Sequence, residues 1–91
     1  MPKFIAVHTM PTPMTPAEMT PLVKQLLTHE THDAYWVESW AQTNSEGKAL
    51  KIFCEWNARS LDAVKAVFAR VPAFPVDGVF PMAKFDSESF R

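Results

Sequence analysis

Few side chains in this sequence can do chemistry. The metal-ligating and acid–base inventory is His8, His29, His32, the single Cys54 and ten Asp plus Glu residues. His8 stands in an apolar run, Lys3-Phe4-Ile5-Ala6-Val7-His8-Thr9-Met10, where each ring nitrogen of a buried imidazole needs a partner. Glu38 is the matching oddity, a carboxylate between Trp36 and Trp40. An imidazole and a carboxylate meeting on one aromatic sheet face would bind a divalent metal or act as an acid–base pair. Cys54 is a further candidate ligand. Its own run, Leu50-Lys51-Ile52-Phe53-Cys54-Glu55-Trp56, reads more simply as a strand holding a buried, inert thiol. Whether His8 and Glu38 share a face depends on strand register, which spacing leaves open. The plainer alternative is that each is hydrogen-bonded or wet. His29-Glu30-Thr31-His32-Asp33 has the composition of a metal patch, but it reads as a solvated helix end, where the dipole favours imidazoles.

Other chemistries are excluded by what is missing. Gly47 and Gly78 are the only glycines, so there is no glycine-rich phosphate loop and no nucleotide cofactor is expected. No Cys-x-x-Cys, His-Glu-x-x-His or nucleophile elbow occurs. Nine Lys plus Arg against ten Asp plus Glu give a net charge of −1, with no basic block to neutralise phosphates, so nucleic acid is not an expected partner. The apolar run Phe4–Val7 is too short for a secretory signal, and nothing approaches the ~20 apolar residues of a spanning helix. One cysteine allows no internal disulfide. The expectation is a single soluble, cytoplasmic domain over residues 1–91 with no membrane partner.

The elements that must position these groups follow from periodicity and punctuation. Lys3 to Met10 reads as a buried strand, and Pro11, Pro13 and Pro16 as a stiff loop after it. Thr15-Pro16-Ala17-Glu18 is a capping box with proline at the first helical position. Pro21 predicts a kink or a short turn before the stripe Leu22, Val23, Leu26 and Leu27, with the helix ending near His29 to Thr31. Ala34 to Gln42 and Leu50 to Asn57 read as a hairpin around Thr43-Asn44-Ser45-Glu46-Gly47-Lys48. Ser60 caps a second helix carrying Leu61, Val64, Phe68 and Val71, and Pro72 stops it. Val79 to Phe85 is a last strand, placed at a sheet edge by Pro81. The order β-α-β-β-α-β predicts an α+β, ferredoxin-like sandwich: a four-stranded antiparallel sheet with both helices on one face.

Half the strand side chains then face away from the helices. Neither alternation set in the hairpin is polar throughout, as a solvated face would be. An uncovered aromatic face marks an interface or a pocket. The expectation is a homodimer closing through that face into a dimeric α/β barrel-type assembly, with a small-molecule pocket lined by Trp36, Glu38, Trp40 and Trp56. In that pocket the protein would either bind a ligand or act on a small hydrophobic substrate.

At these motifs the chain resembles a known family. Phe4-Ile5-Ala6-Val7-His8-Thr9-Met10 leading to Met14-Thr15-Pro16-Ala17-Glu18-Met19 is similar to the opening of small bacterial ferredoxin-like nickel-binding proteins, grouped with a larger domain family of unknown function. Trp36-Val37-Glu38-Ser39-Trp40-Ala41, Phe53-Cys54-Glu55-Trp56-Asn57-Ala58 and Ser60-Leu61-Asp62-Ala63-Val64 resemble its central blocks. The resemblance implies a homodimeric sandwich and a divalent metal, nickel, held at histidine-rich positions, of which His8 is the match. Further histidines that metal-binding members carry are replaced here by Thr9 and Arg70-Val71-Pro72-Ala73-Phe74-Pro75. Val71-Pro72-Ala73-Phe74-Pro75 with Val79-Phe80-Pro81-Met82-Ala83 also resembles the C-terminal block of muconolactone-isomerase-like dimeric α/β barrels. That similarity implies a cofactor-free isomerase- or monooxygenase-like enzyme with its cavity at the dimer interface.

Overall fold

The capping box at Thr15 forms as read. In the computed structural model, which describes residues 1–91, the Thr15 hydroxyl accepts the Glu18 amide and the Glu18 carboxylate accepts the Thr15 amide. The chain runs β1 (Lys3–Met14), α1 (Pro16–His29), β2 (Ala34–Thr43), β3 (Ala49–Ala58), α2 (Leu61–Ala69) and β4 (Gly78–Met82), then a 3₁₀ turn, Ser87–Phe90. The strands form one sheet in the order β2-β3-β1-β4, with all neighbours antiparallel. This is the ferredoxin-like fold. No helix is long and apolar enough to cross a membrane.

Three boundaries differ from expectation, each for a local reason. β1 does not end at Met10. It pairs with β3 as far as Thr9↔Lys51, loses the ladder, and rejoins it at Met14↔Ala49. Pro11 and Pro13 fall in that unpaired stretch, where an absent N–H breaks no ladder bond. Pro21 neither ends nor divides α1, which is continuous to His29. It lies on the exposed side, so the carbonyl it leaves free is open to water, and the Thr20 hydroxyl bonds the neighbouring Pro16 carbonyl at 3.0 Å. β4 stops at Met82, three residues before Phe85, because its partner β1 begins at Lys3, which pairs with Met82. Pro81 does lie on an edge strand.

The core sits between the sheet and the helices. Phe4, Ala6, His8 and Met10 of β1 and Ile52, Cys54, Trp56 and Ala58 of β3 are buried on that side, against Val64, Val67 and Phe68 of α2 and Leu26 of α1. α2 packs closely on the sheet, while α1 stands further off. β2 carries a bulge. Trp36 pairs with Trp56, but Glu38 pairs with Glu55, so Val37 is an extra residue. That one residue reverses the side-chain alternation of β2. Trp36 therefore faces the helices, and so do Ser39 and Ala41, whereas Glu38 and Trp40 face away.

Candidate functional site

His8 is fully buried on the helix side of β1. Its ring lies against Phe74, with centroids 4.3 Å apart, and Phe68 at 4.9 Å. Nδ1 donates to the Pro75 carbonyl at 2.6 Å, which leaves Nε2 as the bare lone pair, and that atom is buried with no partner. Burial pushes the His8 pKa below the ordinary imidazole value, opposed by the Pro75 carbonyl and the nearby Asp77 carboxylate. Because the folded pKa is lowered, the unfolded chain binds the proton more readily between the two values. The contribution is full above about pH 6.5 and shrinks as pH falls through the unfolded value toward the folded one. Thermal melts from pH 7.5 to pH 5 should show the melting temperature falling in wild type, with a shallower fall in His8→Leu. Parallel slopes would assign the loss to other groups.

The remaining sequence candidates do not gather around His8. Glu38 is exposed on the opposite face of the sheet, across the strand pair from Glu55, which Lys3 neutralises in an ion pair. The sheet itself therefore separates the imidazole from the carboxylate. Cys54 is buried on the helix side, and its thiol is pushed up to about 11 by desolvation, with a Ser39 hydrogen bond opposing. It is a thiol, not a thiolate, at neutral pH. No three His, Cys, Asp or Glu side chains come together anywhere in the fold. His29 and His32 stay at a solvated helix end, where Asp33 is engaged by Arg59 at 2.8 Å.

The tryptophans expected to line one pocket occupy three places. Trp56 is in the core with no exposed surface, edge-on to Phe68. Trp40 is 57% exposed on the open face, beside Lys3, Ile5, Glu38, Glu55 and Met82. Of the three, Trp36 alone borders an apolar cavity of about 220 Å³ in the gap beneath α1. Its walls include Met19, Val23 and Leu26 of α1, Ile52 and Cys54 of β3, and Phe74. No His, Asp, Glu, Lys or Arg lines it. Its polar side chains are Thr43, at the exposed edge, and Ser39, whose hydroxyl accepts the Trp36 indole N–H at 2.8 Å. Sequence reasoning named Trp36 but missed Ser39, because their spacing of three places them on opposite faces of any regular strand. Only the bulge at Val37 brings them to one side.

The family described as nickel responsive protein SCO4226-like matches residues 4–82. The chain belongs to that family. Among solved structures, SCO4226 from Streptomyces coelicolor A3(2) superposes with a TM-score of 0.73 at 18% identity, covering 92% of this chain and 99% of that one. At that identity the likeness is one of fold. Comparison with curated proteins finds no significant match.

Membership of the SCO4226-like family raises the question of fit to nickel. His8 has the tautomer of a metal ligand, with Nδ1–H held by a carbonyl and Nε2 free. It lacks co-ligands. Its ring packs on Phe68 and Phe74, the nearby Asp77 carboxylate is engaged by the Thr9 hydroxyl, and Glu38 is on the far side of the sheet. One imidazole with a single carboxylate nearby is not a nickel site, and with no three such ligands together the residues of a single chain do not fit the ion.

Proposed function

We propose that this SCO4226-like protein is a homodimeric small-ligand-binding protein. Two copies meet through their open sheet faces as a dimeric α/β barrel, and each holds a small apolar molecule in the cavity beneath α1. The cavity carries this reading, lying between α1 and the sheet with walls of mainly apolar side chains and no ionised group among them. Binding without turnover is favoured by its chemistry. An isomerase or monooxygenase working there would need a group to move a proton, and the sole titratable side chain on the walls is the Cys54 thiol, held protonated by burial.

The test is a thermal-denaturation screen of neutral apolar, anionic and cationic small molecules, with nickel(II) as a separate arm. A ligand selective for the folded state at 100 times its Kd adds about 2.7 kcal/mol, a shift of roughly 10–20 °C for a domain of this size. Neutral apolar compounds should raise the melting temperature, and charged ones should not. Nickel titrated calorimetrically into wild type and His8→Ala should give equal heats. A site of one nickel per chain that disappears in His8→Ala would restore the metal reading in place of this one.

A further inference from the structure

We infer that the ligand of the cavity beneath α1 is a neutral fused bicyclic aromatic molecule, naphthalene- or indole-sized, bearing one hydrogen-bond donor directed at Ser39. The inference rests on the binding function proposed above and narrows it to a chemical class.

Size comes first. An apolar cavity of about 150 Å³ takes a benzene molecule, so the 220 Å³ beneath α1 accommodates roughly one further fused ring. The walls favour an aromatic over an alkyl chain. Trp36 and Phe74 offer ring faces and edges, and Met14 and Met19 offer thioethers, which make favourable contacts with aromatic rings. Charge is excluded, because no ionised side chain lines the site to offset the desolvation of an ion.

The donor follows from the Ser39 hydroxyl. It accepts the Trp36 N–H at 2.8 Å and lies close enough to the Cys54 thiol to oppose the rise in its pKa. One oxygen lone pair remains for a ligand O–H or N–H. This arrangement depends on the bulge at Val37, which places Trp36 and Ser39 on the cavity side together. Bulges recur beside binding sites because they re-aim a side chain at modest expense to the ladder. The mouth lies at Ala41, Thr43 and Gly47, which are exposed at the β2 edge and hairpin and offer a route in without unfolding α1.

The experiment is isothermal titration calorimetry of the intact protein with 2-naphthol, naphthalene, naphthalene-2-sulfonate and 1-octanol. 2-Naphthol should bind one per chain, at least about tenfold more tightly than the sulfonate, whose charge must be desolvated. Ala49→Leu fills the cavity from β3 and Ala41→Phe plugs its mouth. Each should weaken 2-naphthol at least about tenfold with no fall in melting temperature, the second variant covering the first if overpacking harms the fold. Ser39→Ala should weaken 2-naphthol about fivefold, as loss of one hydrogen bond predicts, and leave naphthalene unchanged. Tight 1-octanol binding in the absence of 2-naphthol binding would overturn the ligand class and leave the binding function standing. Binding of neither would overturn both. 2-Naphthol binding that survives both filling variants would place the ligand elsewhere and overturn the assignment of the cavity.

Discussion

Trp56→Ala lowers the unfolding free energy by about 3–5 kcal/mol, whereas Trp56→Phe costs less than about 1.5 kcal/mol. The difference comes from what the indole does in the core. Trp56 is without exposed surface in the middle of β3, paired with Phe4 on one side and Trp36 on the other, and edge-on to Phe68 of α2 at 5.3 Å. Truncation to alanine removes the largest fully buried side chain and leaves a void at the junction of three strands and a helix. Phenylalanine keeps most of the contact area and the edge-on packing. It also deletes the Trp56 N–H, which is buried without a hydrogen-bond partner, so part of the lost volume is offset by an unmet polar group removed. At roughly 0.05–0.15 kcal/mol per residue, a chain of 91 residues has on the order of 5–14 kcal/mol in all. The alanine variant should thus be near unfolding at 25 °C if wild type lies at the low end of that range. Equilibrium urea denaturation of the three proteins decides the matter, and equal losses in the two variants would overturn the void as the cause and assign the loss to a feature that only the indole supplies.

The contrast between the two ends of this molecule explains what periodicity could read. The capping box at Thr15, the Ser60 cap, the hairpin turn and the edge position of Pro81 are local devices, each decided by residues within a few positions of one another. They were legible, and with the element order they suffice for the ferredoxin-like fold. The candidate site was not legible in the same way, because its residues are brought together by register. Trp36, Glu38 and Trp40 form one alternation set in the sequence, yet one unpaired residue at Val37 divides them, Trp36 to the helix side and the other two to the open face. His8 and Glu38 are each conspicuous by type, and the parity of two strands decides that they never meet. The prolines at 11 and 13 mislead for a related reason: they punctuate a chain only where a ladder bond would be needed, and β1 has no ladder there. Composition identified the odd residues, and pairing assigned them to faces.

Trp40→Glu should convert the proposed dimer to a monomer at micromolar concentrations, raising the dimer dissociation constant by about 100-fold or more. The open face is where a partner would have most to gain. Trp40 at 57% exposure and Phe80 at 51% stand on it with half-buried Ile5, Val7 and Phe53. A fully desolvated tryptophan near the centre of an interface is a typical hot spot, worth 2 kcal/mol or more on truncation. Glutamate does more than truncate. It sets a charge that assembly must desolvate at the position of the anchor, beside Glu38 and Glu55, while Lys3 is already engaged by Glu55 and Lys84 borders the same patch. Any self-complementary face about a two-fold axis meets the same buried charge on the partner, so the cost is incurred twice. Because Trp40 lies outside the core, the variant should keep its secondary structure and its 2-naphthol site, so the loss reads on assembly alone. Sedimentation velocity across a concentration series measures it. If wild type already sediments as a 10.3 kDa monomer, the open face serves some other partner and the barrel assembly is wrong. If Trp40→Glu stays dimeric, two copies meet through a different surface, and the aromatic face needs another explanation.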